Sequence, residues 1–113
     1  METLDKTLKA FADINRLRIL KLLEKNKKMC VCELAFVLGI TQPSVSKHLK
    51  KLLGAGLIES EQDGFWTNYF IKPDNQYGRI LLNNLRQWLN DDNVIKKDLE
   101  KAKKSDRAEL CSK

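Results

Sequence analysis

Apolar residues recur along the chain at helical spacing, separated by polar and glycine-bearing turns. Leu4, Leu8 and Phe11 stand at i, i+4 and i+7, one face of a short first helix. Asp13 is placed to cap a second helix, in which Ile14, Leu17, Leu20, Leu22 and Leu23 form an apolar stripe. Asn26-Lys27-Lys28 closes it with a polar, basic turn. A third, short helix is predicted from about Cys32 to Leu38, with Leu34, Ala35 and Leu38 inward and Gly39 as the stop. Thr41 is a good N-cap for the next helix, and Pro43 in its first turn costs no backbone hydrogen bond. Val45, Leu49, Leu52 and Leu53 then repeat at helical spacing up to Gly54-Ala55-Gly56.

The pattern changes at Leu57. Leu57 to Gln62 and Trp66 to Lys72 read as two strands, with Asp63-Gly64 as the hairpin signal and Pro73-Asp74-Asn75 as the break. A longer helix follows, carrying Ile80, Leu81, Leu85, Trp88 and Leu89. Asn90-Asp91-Asp92-Asn93 either interrupts that helix or caps a second segment bearing Val94, Ile95 and Leu99. The predicted fold is therefore mainly α with a small β-hairpin, in the order ααααββα. Residues 1–100 form one domain, and residues 101–113 a charged, flexible C-terminal tail. A hairpin alone is marginally stable, so it must pack on the helices. The first helix (Leu4, Leu8, Phe11) and the last (Leu81, Leu85, Trp88) carry more apolar surface than so small a core covers. That surplus predicts a homodimer.

Composition narrows the class. The chain has 113 residues, 42% hydrophobic and 32% charged, which suits one soluble domain. No apolar run approaches the roughly 18 residues of a membrane span. Met1-Glu2-Thr3-Leu4-Asp5 lacks the basic and apolar regions of a secretory signal. Three cysteines without such a signal point to a reducing cytoplasm and free thiols. The expectation is a cytoplasmic protein with no membrane partner. Twenty-one Lys and Arg against fifteen Asp and Glu leave a net charge of +6. This suits a polyanionic partner, but it equally suits simple solubility.

The segment from Glu33 to Leu57 separates these two readings. Short helix, Gly39-containing turn and longer helix make a helix-turn-helix, whose second helix lies in the major groove of double-stranded DNA. The hairpin just after it would be a wing. Thr41, Gln42, Ser44, Val45, Ser46, Lys47, His48, Lys50 and Lys51 are the candidate DNA-binding residues. Gln and Ser suit base edges, while lysines and the helix start suit phosphates. Taken singly, Lys47, Lys50 and Lys51 also fit a solvated face. His48 alone makes no metal site, and Trp66, Tyr69 and Phe70 fit hairpin packing. Glu59, Glu61 and Asp63 make the wing a poor phosphate clamp, so the helix is expected to dominate DNA contact.

Met29-Cys30-Val31-Cys32-Glu33-Leu34 carries the chemistry. Cysteines at i, i+2 point about 200° apart on a helix but to one side of an extended chain. They share one ion only if the chain around Cys30 is not helical. The pair is therefore placed with Cys32 near the N-cap and Cys30 just before it. Helix-start dipoles and Lys27 and Lys28 favour thiolates there, and soft thiolates select soft ions. Two thiolates do not fill a tetrahedral zinc site. Trivalent arsenic or antimony takes three, and copper(I) takes two. Cys111 is the only other cysteine, and it reads either as a third ligand or as an idle thiol. Cys30 and Cys32 read equally as small buried hydrophobes.

Four stretches together resemble the arsenical-repressor (ArsR/SmtB) family of winged-helix metal sensors. Phe11 to Leu20 resembles the family's second-helix signature, and Cys30-Val31-Cys32-Glu33-Leu34 its metal box. Thr41 to Leu49 resembles its recognition-helix start, and Gly64 to Phe70 its wing. The resemblance implies a winged helix-turn-helix homodimer that represses its own operon and releases operator DNA when metal or metalloid binds. It maps the first and last helices onto the dimer interface and makes Cys30 and Cys32 inducer ligands. The Cys-Val-Cys form is most like the arsenite and antimonite responders. Cadmium and lead sensors share a similar box but add N-terminal cysteines, and none precedes Cys30. Some relatives carry a further cysteine where Ala35 stands here. No histidine lies between Ile80 and Glu100, so no zinc site is expected on the last helix. Phe65 stands where the wing tip often carries Arg or Lys. Two alternatives remain on this fold, a thiol redox or persulfide sensor and a cadmium, lead or copper sensor. A third is a small thiol metal-transfer protein. No catalytic residues are expected, so the chain does not read as an enzyme.

Overall fold

A computed structural model describes residues 1–110. Four helices lead: α1 (Glu2–Phe11), α2 (Ile14–Asn26), α3 (Val31–Leu38) and α4 (Gln42–Gly54). The antiparallel strands β1 (Ile58–Asp63) and β2 (Trp66–Ile71) follow, then α5 (Gln76–Leu85), α6 (Asn93–Ala102) and α7 (Arg107–Leu110). This is a winged helix-turn-helix in the expected order, continued by two further helices.

The helix starts are chemically marked. Asp13 accepts the backbone N–H of Arg16, Thr41 that of Ser44, Asn75 that of Gly78, and Asp92 those of Val94 and Ile95. Each satisfies donors that the first helical turn leaves without partners. The α3 start differs from expectation. Cys30 itself is the N-cap, so Cys32 lies within the first turn. Glu33 closes a capping box by accepting the Cys30 N–H at 2.9 Å.

The core gathers Ile19, Leu20, Leu22 and Leu23 of α2 with Leu34, Val37 and Leu38 of α3. Val45, Leu49 and Leu52 of α4 join them, as do Leu57, Ile58, Leu82 and Leu85. Two predicted site residues are corrected by this core. Val45 is fully buried, because it shares the inward phase of Leu49 and Leu52, and it is not available to DNA. Leu85 is also buried, inside the protomer's own core rather than on a dimerisation face.

The last long helix is shorter than its apolar pattern suggests. Lys21, buried within α2, sends its ammonium to the backbone oxygen of Leu85 at 2.9 Å. The same group reaches Asn90 Oδ1 and Glu24 Oε1, each at 2.8 Å. Three acceptors satisfy its three donors and pin the end of α5. Trp88 consequently lies in a connection rather than on a helix, and Leu89 turns the chain with φ +66°. Asp92 then starts α6, which packs on α2 and α3. Arg18 of α2 donates to both carboxylate oxygens of Asp98 at 2.8 and 2.9 Å. That fork holds the Arg18 guanidinium above its ordinary value, against the opposing effect of burial. Helix α6 runs to Ala102, past the boundary expected at residue 100.

The hairpin turn also moves. Asp63 stays in the strand opposite Trp66, so the loop is Gly64-Phe65. Gly64 heads it with φ +64°, the position that demands glycine in a type II′ turn. On the opposite side of β2, Met29 forms a single bridge to Tyr69, through N–H···O contacts of 3.2 and 2.8 Å. The residue before Cys30 is thus stitched to the wing.

Candidate nucleic-acid interface and cysteine pair

Helix α4 buries Val45, Leu49 and Leu52 and leaves Thr41, Gln42, Ser46, Lys47, Lys50 and Lys51 exposed. Ser44 is half-buried, and Thr41 donates to its hydroxyl at 3.1 Å. The exposed set divides by chemistry. Gln42 and Ser46 near the helix start can address base edges. Lys47, Lys50 and Lys51 at i, i+3 and i+4 form one cationic stripe suited to phosphates.

His48 is held inside this arrangement. Its Nδ1 lies 3.3 Å from Nη1 of Arg16 and 3.9 Å from a carboxylate oxygen of Asp13. Arg16 also donates to the backbone oxygens of Ala10 at 2.9 Å and Lys9 at 3.0 Å. It therefore clamps the last turn of α1 to α4. Sequence reasoning did not single out Arg16, Lys6 or Lys9, because exposed-looking cations on helices resemble a solvated face. The only local signal was the spacing of Arg16 three residues after the Asp13 cap.

The wing is as acidic as expected, and its carboxylates meet the protein's own cations. Glu61 pairs with Lys28, whose ammonium also lies over the Phe70 ring at 5.5 Å. Glu59 lies 4.0 Å from Lys72. Lys28 thus faces the wing strand. Trp66, Tyr69 and Phe70 are half-buried, and Phe65 at the tip is exposed.

Cys30 is buried in extended backbone (φ −98°, ψ 170°), and Cys32, half-buried on the first turn of α3, is disulfide-bonded, which corrects the expectation that all three cysteines are free thiols. The non-helical conformation that a shared ion requires is present at Cys30. Cys32 touches the reading helix directly, since Nε2 of Gln42 donates to its sulfur at 3.7 Å. Among the described residues, no group of three or more His, Cys, Asp or Glu side chains is placed to hold a metal ion. The donor set fits a soft three-coordinate ion only with a further thiol, and Cys111 lies outside the described residues. Helix α7, ending at Leu110, packs against α3.

The sequence matches the family described as "Bacterial regulatory protein, arsR family" over residues 13–60. It is 39% identical over 76 residues to the arsenical resistance operon repressor of Bacillus subtilis, covering 67% of this chain and 72% of that one. The chain belongs to the arsR family. An HTH-type transcriptional regulator of Methanocaldococcus jannaschii is 46% identical over 66 residues, or 58% of this chain and 74% of the relative. The crystal structure of the transcriptional repressor PagR of Bacillus anthracis superposes with a TM-score of 0.62 at 28% identity, covering 74% of this chain and 93% of that one. This arsR-family chain is a DNA-binding transcriptional regulator and not an enzyme. Among its described residues, no helix is long and apolar enough to cross a membrane.

Proposed function

We propose that this arsR-family regulator is a repressor that binds operator DNA as a homodimer and lets go when trivalent arsenic or antimony binds its cysteine thiolates. The observation that carries the reading is the contact between Cys32 and Gln42. A residue aimed at base edges rests on a candidate inducer ligand, so occupancy of the sulfur bears directly on the reading helix. Drawing Cys30 and Cys32 onto one ion also strains the first turn of α3, where Glu33 caps the Cys30 amide. A local event at the thiols then biases an element that packs against α4.

With the disulfide at Cys32 reduced, Cys30 and Cys32 supply two thiolates, and Cys111, next in the sequence after α7, supplies the third. The packing of α7 on α3 supports this assignment. The arsenical-resistance relative supports the choice of inducer. Helices α1 and α5 pack together and leave Leu8 and Ile80 about half exposed, which supports a dimer built on that face.

The test is release of fluorescent operator DNA from reduced protein, titrated with arsenite, antimonite, cadmium and zinc side by side. Arsenite and antimonite are expected to release the DNA. Cys30→Ser with Cys32→Ser abolishes release, and Cys111→Ser weakens it. Full arsenite response without Cys30 and Cys32, or a response to zinc alone, overturns the reading.

A further inference from the structure

A groove of about 480 Å³ runs between α1 and α4. Its floor is Ala10, Gly54 and Ala55, small residues that let the two helices approach. Its rims are cationic throughout: Lys6 and Lys9 on α1, Arg16 at the start of α2, and Lys47, Lys50 and Lys51 on α4. No Asp or Glu lies among the described lining residues. Asp5 stands just outside, 3.1 Å from the Lys9 ammonium.

Six of the chain's twenty-one Lys and Arg line this one groove, with no carboxylate beside them among its described lining residues. Lys6, Lys9, Lys47, Lys50 and Lys51 are all exposed, and Arg16 fixes the spacing of the two walls through its bonds to α1 and His48.

We infer that this groove is a second seat for DNA, taking the sugar-phosphate backbone beside the major groove that α4 enters. The inference rests on DNA binding through α4 and extends that surface onto α1. Two features favour a linear polyanion over a single small anion. The ammonium groups are spread along two helices rather than focused on one point, and they continue the cationic stripe of the reading helix. Phosphates on a duplex come in series, and compact ammonium groups meet them as point charges. The arrangement also answers the acidic wing, since the backbone contact that the wing is poorly charged to make is supplied by the cations of α1 and α4.

The test compares wild type with Lys6→Gln/Lys9→Gln by fluorescence anisotropy on a 30-base-pair mixed-sequence duplex across a salt series. Each phosphate contact on B-DNA contributes about 0.9 to the slope of log affinity against log salt, so the double variant, which removes two contacts from each protomer of the homodimer, is expected to lose about 3.6. A second duplex of unrelated sequence should show the same loss, because phosphate contacts carry no sequence information. Both positions are exposed, and an unchanged thermal midpoint verifies the fold. An unchanged slope overturns the groove while leaving α4 as the reader. Absence of DNA binding by wild type overturns both. Saturable binding of inorganic phosphate with an unchanged slope reassigns the groove to a small anion.

Discussion

The reading helix α4 and the wing follow one another in the chain yet are held in opposite ways. Helix α4 is driven into the core by Val45, Leu49 and Leu52, and its outer face is cationic. Beyond Ile58 the first wing strand is exposed along its length, and Phe65 at the tip is 97% exposed. Glu59 and Glu61 lie against Lys72 and Lys28 of the protein itself. The wing's base is tied in by Ile58 in the core, by Tyr69 and Ile71 packed against it, and by the bridge from Tyr69 to Met29, next to Cys30. The difference teaches a division of labour. The helix is a fixed, positively charged head, whereas the wing is anchored at its base and exposed along its outer strand and tip.

Truncation breaks that contrast most sharply. Leu49→Ala opens a cavity in a closed core and is expected to cost about 2–5 kcal/mol. Phe65→Ala removes a larger side chain from solvent and should stay within about 0.5 kcal/mol. Urea unfolding at constant m-value measures both. A comparable loss at Phe65 would mean that the wing tip is buried against something.

On DNA, the next largest effect belongs to Gln42. Replacing it with alanine should weaken operator binding by about 1–3 kcal/mol, the scale of a good base contact. Affinity for an unrelated duplex should hold, because a base-edge contact serves only the cognate sequence. Equal losses on both duplexes would move Gln42 from reading bases to positioning the helix.

These two residues also mark how far the sequence could be read. Helical spacing and the caps Asp13 and Thr41 located α2 and α4, because local hydrogen bonds set those starts. The same spacing placed Val45 in phase with Leu49, which argued for the core against its nomination for DNA. What escaped were long-range facts. The end of α5 is set by Lys21, 64 residues earlier. The basic groove needs α1 and α4 side by side, which no local pattern states. The α3 start lies earlier than the apolar pattern indicates because Glu33 closes a capping box on Cys30 rather than leaving Cys32 as the cap. The hairpin turn shifted because Asp63 pairs across to Trp66 and leaves Gly64 to lead the loop.

A smaller effect is expected where the wing's tether begins. Lys27 adopts φ 71° and ψ −63°, and the Lys28 N–H reaches the Asn26 oxygen at 2.8 Å. This is a γ-turn of the rare, strained hand. Strain of this kind costs about 1–3 kcal/mol, and glycine escapes it at an entropic cost of about 0.5–1 kcal/mol. Lys27→Gly should therefore stabilise the protein by about 1 kcal/mol, read as a rise in Tm. A fall in Tm would show that the Lys27 side chain, and not the backbone, holds the segment before Cys30.

The smallest effect tests the helix side through pH. Asp13 caps α2 and lies beside His48 of α4. Partial burial pushes its carboxyl upward, but the Arg16 amide, the Arg16 charge and His48 together hold it below its ordinary value of 3.8. With the folded value below the unfolded one, the ionised carboxylate contributes stability that is complete above that ordinary value. The contribution drains away as pH falls through the folded value. Asp13→Asn keeps a good N-cap but removes the titration. Wild type should therefore be the more stable of the two near neutrality, and their urea midpoints should converge below about pH 4. A gap that stays constant through acid would mean that Asp13 acts on α2 and α4 through hydrogen-bond geometry alone, with no share from charge.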